Sequence, residues 1–153
     1  KIEYEEKKLL QNNLIRKYNS KIYLENGRMN DQSKIGIPGS SVVCKNETTL
    51  LSEPPRFYFK CNLKITNLKE FNKYFSISKN INNKPINLYF EGSINIFRNK
   101  VNFEKISIEE TNYIANNEDK IFFKKNFEDT LLKDGFFNIF KTQKIKNFIN
   151  EII

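Results

Sequence analysis

RFYFKCNLKI, residues 56 to 65, alternates without a break. Phe57, Phe59, Cys61, Leu63 and Ile65 are apolar, while Arg56, Tyr58, Lys60, Asn62 and Lys64 are polar or amphipathic. Successive side chains of a strand point to opposite faces, so the decapeptide reads as a β-strand with one apolar and one wet face. A sheet built on it must set that apolar face against something, either the domain's own helices or a partner that is not protein.

The flanking stretches repeat the pattern. Upstream, SSVVCKNETTLL (40–51) reads as a strand and SEPP (52–55) as a turn centred on Ser52-Glu53. This register sets Cys44 opposite Cys61, Val42 opposite Leu63 and Thr48 opposite Phe57, and directly opposed residues share a face. Cys44 and Cys61 then neighbour each other on the apolar side. The preferred reading is two small buried hydrophobes. The alternative is a cross-strand disulfide, given an oxidising compartment and a suitable Cα separation.

Downstream, PINLYFEGSINIF (85–97) puts Ile86, Leu88, Phe90, Gly92, Ile94 and Ile96 on one face. RNK (98–100) turns the chain, and VNFEKISI (101–108) returns with Val101 and Phe103, then Ile106 and Ile108. The apolar phase slips by one after Phe103, which predicts a β-bulge near Glu104-Lys105. Gly92 in mid-strand predicts a bend or a close backbone approach. Both devices curve a sheet.

Other segments are read from period and punctuation. Residues 1–18 suit either a helix, through Leu10, Leu14, Ile15 and Tyr18, or an edge strand, with helix preferred. SKIYLENG (20–27) is a short strand ending at an Asn26-Gly27 turn. Residues 28–40 are polar and carry Pro38-Gly39, so a loop or irregular edge is expected. NLKEFNKYFSI (67–77) shifts to helical spacing, with Asn67 as cap, Glu70 three residues on, and Leu68, Phe71 and Phe75 on one face. SKNINNK (78–84) reads as a polar loop. Asn116 or Asn117 caps a further helix whose start suits Glu118 and Asp119. Phe123, Phe127 and Leu131 follow at four-residue spacing, and Gly135 breaks the pattern. GFFNIF (135–140) is apolar on nearly all sides. In KTQKIKNFINEII, Ile145, Phe148, Ile149, Ile152 and Ile153 form a stripe expected to pack on the domain itself rather than in a membrane interface.

The expected fold class is therefore α+β. A curved, groove-like antiparallel β-meander covers 20–108, with a short helix at about 67–76 and amphipathic C-terminal helices at about 117–152. The 153 residues make one domain with a sizeable core. The chain opens on Lys1, so a piece of a longer protein is expected, and the resemblance given below implies its C-terminal region.

Composition narrows function. There is no histidine, which excludes Ser-His-Asp and Cys-His catalysis and removes the commonest metal ligand. Two cysteines cannot complete a four-Cys zinc site, and no phosphate-binding glycine loop or nucleophile elbow occurs. Glu109-Glu110 and Glu118-Asp119 read as solvated turn or helix-start residues, not as an acid–base pair. No catalytic residue, cofactor or metal is expected. The net charge is +8, but the lysines are scattered along polar faces, so nucleic acid is not the expected partner.

The succession FYFKCNLKITNLKEFNKYFSI, KPINLYFEGSINIFRNKVNFEKISI and the Phe-rich tail ending KIKNFINEII resembles the C-terminal region of AsmA-like envelope proteins, in the style of their alphaproteobacterial members. The resemblance covers roughly residues 40–153 and rests on alternation and turns. It implies a periplasmic β-groove protein, anchored in the inner membrane through a segment outside this chain, engaged in phospholipid transfer or outer-membrane assembly. Its partners would be phospholipid acyl chains or a membrane surface, with envelope proteins besides. The residues expected to line the groove are Phe57, Phe59, Leu63, Ile86, Leu88, Phe90, Ile94, Ile96, Val101 and Phe103. The alternative is a structural or protein-interaction module whose helices close the core, with no ligand.

Overall fold

A computed structural model describes residues 2–6, 14–49, 54–77, 84–135 and 141–152. Eight antiparallel strands form one open sheet in which every strand pairs with its neighbour in sequence. They are β1 (Ile2–Glu6), β2 (Lys17–Glu25), β3 (Arg28–Ile37), β4 (Ser40–Thr49), β5 (Arg56–Ile65), β6 (Ile86–Asn95), β7 (Lys100–Ile108) and the two-residue β8 (Tyr113–Ile114). Helix α1 (Leu68–Phe75) interrupts the meander between β5 and β6. Helix α2 (Asn117–Asn126) runs into a π-helical turn (Phe127–Leu132), and α3 (Thr142–Ile152) ends the fold. The α+β meander expected from the sequence is thus the observed architecture.

Local chemistry accounts for the hairpins. Asn26 (φ 48°) and Gly27 (φ 72°) join β2 to β3 in the doubly left-handed turn that matches strand twist. Pro38 and Gly39 join β3 to β4, and Gly39 at φ 71° takes the position that requires positive φ after a proline. A Cβ there would also lie 2.4 Å from the Asn67 carbonyl oxygen. The space matters because the Gly39 carbonyl accepts the Thr66 and Asn67 backbone N–H groups at 3.0 and 2.9 Å, docking the start of α1 on the β3–β4 turn.

Two sequence expectations need correction. Residues 28–40 are not a loop: Arg28–Ile37 is a full strand. Its inward positions hold Asp31 and Ser33 where the alternation rule looks for hydrophobes, and Ser20 and Asn46 donate hydrogen bonds to Asp31. The helix preferred for 1–18 is also overturned, since Ile2–Glu6 is an edge strand paired with β2 and Lys17 already belongs to β2. A short segment flanked by charges gains more from the ladder of a neighbouring strand than from one marginal helix. β8 was not anticipated.

The β4–β5 register is the one read from the sequence: Cys44 faces Cys61, Val42 faces Leu63 and Thr48 faces Phe57. The bulge also falls where the phase slip put it. Glu91 pairs with Lys105 but Gly92 pairs with Phe103, leaving Glu104 as the extra residue. Gly92 is a close approach, because a Cβ would lie 2.0 Å from the Asn102 carbonyl oxygen.

The helices cover one face of the sheet. α1 buries Leu68, Phe71 and Phe75, capped by Asn67 Oδ1, which accepts the Glu70 backbone N–H at 3.1 Å. These residues join Leu14, Ile15 and Ile65 in one core, against which Ile145 and Ile149 of α3 pack. Ile145, Phe148 and Ile149 of the α3 stripe thus face their own domain, as expected. A second core gathers Phe59, Cys61, Ile94 and Val101 beneath Leu132 of the π turn. Asn116 caps α2 in a reciprocal box with Asp119. Glu128 then blunts the edge of β7, accepting the Val101 backbone N–H at 3.0 Å and Lys100 Nζ at 2.7 Å. The expected loop at 78–84, the β4–β5 turn and the GFFNIF segment fall largely outside the described residues.

Candidate functional site: the helix-covered face of the sheet

The ladder registers place nine of the ten expected groove residues on one face. Phe57 faces Ile94, which faces Val101; Leu63 faces Leu88; Ile65 faces Ile86; Cys61 faces Phe90; Phe59 and Phe103 flank Gly92. Ile96 lies one residue past the end of β6, in the turn to β7. Phe59, Ile94 and Val101 are buried, at 5%, 3% and 2% exposure. The other seven are half-buried and none is exposed.

An aromatic ladder runs through this face and into its cover. Ring centroids are 6.1 Å apart for Phe90–Phe59, 5.9 Å for Phe59–Phe103, 5.6 Å for Phe103–Phe127 and 5.5 Å for Phe127–Phe148. The last three contacts are edge-to-face, the arrangement that the ring quadrupole favours. The ladder therefore passes from β6 through β5 and β7 to the π turn and α3. Leu131 and Leu132 anchor the cover, whereas α2 buries no residue and leaves Ile121 and Phe122 66% and 51% exposed.

Cys44 and Cys61 form a disulfide on this face, with Cα atoms 4.1 Å apart. The preferred reading of two free hydrophobic thiols is therefore corrected. The opposed register leaves the sulfurs adjacent, and bonding removes two thiols from an apolar setting without adding a polar group.

Toward β2 the same face turns polar. Ser20 and Ser33 are opposed and buried. Asp31 accepts a hydrogen bond from Ser20 Oγ at 3.2 Å and another from Asn46 Nδ2. Thr48 is also buried. From β2 to β4 this face thus mixes hydroxyl and amide side chains with Tyr18, Ile35, Ile37 and Val42, which pack on the two cores. Sequence reasoning missed this half because β3 read as a loop. The signal available was the period-two placement of Asp31 and Ser33 between Met29 and Ile35.

The opposite face is wet. A depression of about 400 Å³ is lined there by Asn62, Tyr89, Lys105, Ser107 and Tyr113 among others. Tyr89 OH donates to Glu91, and this bond is the main reason its pKa is pushed up to about 12. Tyr113 OH donates to Asp119 at 2.7 Å, and burial followed by that bond raises it likewise to about 12. Both hydroxyls stay protonated at neutral pH. Glu110 holds both the backbone N–H and the side-chain amide of Asn87, at 2.8 and 2.6 Å, and these bonds lower its pKa. Among the described residues no cluster of acidic or sulfur ligands suits a metal ion, and no helix is long and apolar enough to cross a membrane.

Compared with protein-family models, curated proteins and solved structures, the chain matches none.

Proposed function

We propose that this chain is a C-terminal segment of a periplasmic β-groove protein that handles phospholipid, and that its helix-covered sheet face receives acyl chains. The observation that carries the reading is the set of Phe, Ile and Leu side chains aligned on one face of a curved meander. Seven of the ten are half-buried, and α2 buries no residue of its own. Acyl chains gain about 0.8 kcal/mol per buried methylene and need no directed hydrogen bond, so a row of such side chains suffices to hold them. The hydroxyl- and amide-bearing strands beside that row offer partners to the polar end of a lipid. The disulfide supports an oxidising compartment such as the periplasm. The resemblance to AsmA-like proteins points the same way.

A second reading rests on the burial of Phe59, Ile94 and Val101 beneath Leu132, which describes a closed core with no ligand. Phe90→Asp separates the two. On the groove reading the variant unfolds cooperatively and loses binding of a fluorescent phospholipid. A variant that no longer folds, beside a wild-type chain that binds no phospholipid, establishes the closed core.

A further inference from the structure

The wet face of the sheet collects the chain's positive charge. From β3 to β7 it carries eight lysines and arginines against three carboxylates, Glu47, Glu91 and the bulge residue Glu104, a surplus of five in a chain of net +8. At the far edge, β1 sets Glu3 opposite Lys21, so the surplus lies toward the middle of the sheet. Its centre is unusual: Lys45 and Lys60 are directly opposed on neighbouring strands, both exposed. Like charges in that relation destabilise a sheet. Glu91 stands between Lys60 and Lys105 on the same row, and it accepts the Tyr89 hydroxyl. Among the described residues neither Lys45 nor Lys60 makes an ion pair.

Tyr58 and Val43 flank this lysine pair on either side and stand exposed, at 41% and 45%. A basic surface carrying amphipathic rings suits the phosphate layer of a bilayer, where tyrosine settles at the headgroup level. Polynucleotide shares the anionic chemistry, but the Cys44–Cys61 disulfide favours an oxidising compartment, where lipid phosphate is the abundant polyanion.

We propose that the outward face of β3–β7, centred on the opposed Lys45 and Lys60, docks on a bilayer bearing anionic phospholipid. This surface lies opposite the acyl-chain face and stands whether or not that face takes lipid.

The test is flotation of the chain with vesicles of phosphatidylcholine containing phosphatidylglycerol, beside vesicles of phosphatidylcholine alone. The chain floats only with the anionic vesicles and is released as salt shortens the screening length. Lys45→Gln with Lys60→Gln lowers partitioning about 30-fold, from the contribution of each basic residue near an anionic surface. Lys69→Gln with Lys73→Gln, two exposed residues of α1 on the helix-covered side, removes the same charge and changes partitioning less than about 3-fold. No flotation with anionic vesicles, equal losses in the two double variants, or tighter binding to a single-stranded oligonucleotide than to the vesicles overturns the proposal.

Discussion

Cys44 and Cys61 sit directly opposite each other on β4 and β5 and are joined by a disulfide, 17 residues apart in sequence, inside the core that also holds Phe59 and Val101. The bond ties together two strands whose connecting turn is the longest break in the β2–β5 hairpin series. Closing a loop of this size in the unfolded chain is worth about 3 kcal/mol on the chain-entropy account. Urea unfolding with and without reductant should therefore differ by about that amount, and Cys44→Ala with Cys61→Ala should match the reduced protein. Thiol titration of the native chain should find no free thiol. Two reactive thiols and an unchanged midpoint would show that the bond does not form.

Phe75 is fully buried between α1 and the sheet and touches the Phe71 ring, centroid to centroid, at 4.6 Å. Phe75→Ala leaves a cavity in the core on which α3 also rests, and a loss of about 3–5 kcal/mol in unfolding free energy is expected. The exposed ion pair of Arg16 with Glu70, on the same helix, is the comparison. Arg16→Ala should cost no more than about 1 kcal/mol.

Gly92 meets the β7 backbone at the bulge. Gly92→Ala must push the strands apart or shift the bulge, because the obstruction is the Asn102 carbonyl and not a mobile side chain. A destabilisation of about 1–3 kcal/mol is expected, with amide chemical-shift changes concentrated at residues 90–106. A neutral substitution would contradict the close approach.

Tyr89 and Tyr113 hold their protons to about pH 12, above the ordinary value of 10. A group whose pKa is raised by folding contributes stability that is complete below its unfolded pKa and fades as pH rises through the folded one. The contribution of these two residues is thus present below about pH 10 and lost between about 10 and 12. Near-ultraviolet titration should show two of the seven tyrosines ionising late in the folded chain. Glu91→Gln should return Tyr89 toward 10 and leave Tyr113 unmoved.

Alternation made most of the sheet legible. The β4–β5 register, the β6–β7 pair, the bulge at Glu104 and the apolar face of α1 all follow from where Phe, Ile, Leu and Gly fall in the period. β3 was not legible because Asp31 and Ser33 occupy inward positions, and the hydrogen bonds that make Asp31 tolerable there come from Ser20 and Asn46, distant in sequence. β1 was only the second reading of its segment, because a five-residue strand draws its stability from β2 rather than from its own residues. The lysine face escaped for a related reason. Lys45, Lys60 and Lys105 are far apart in the chain, and the rungs of the meander bring them into one row.

The central claim is that the Phe-rich face of β5–β7 holds acyl chains, and native mass spectrometry of the gently purified chain, followed by lipid extraction, tests it most directly. Phospholipid should travel with the protein and be lost in Phe90→Asp while cooperative unfolding is kept. A lipid-free, monodisperse and cooperatively folding wild-type chain would contradict the claim and leave the helices as the only occupants of that face.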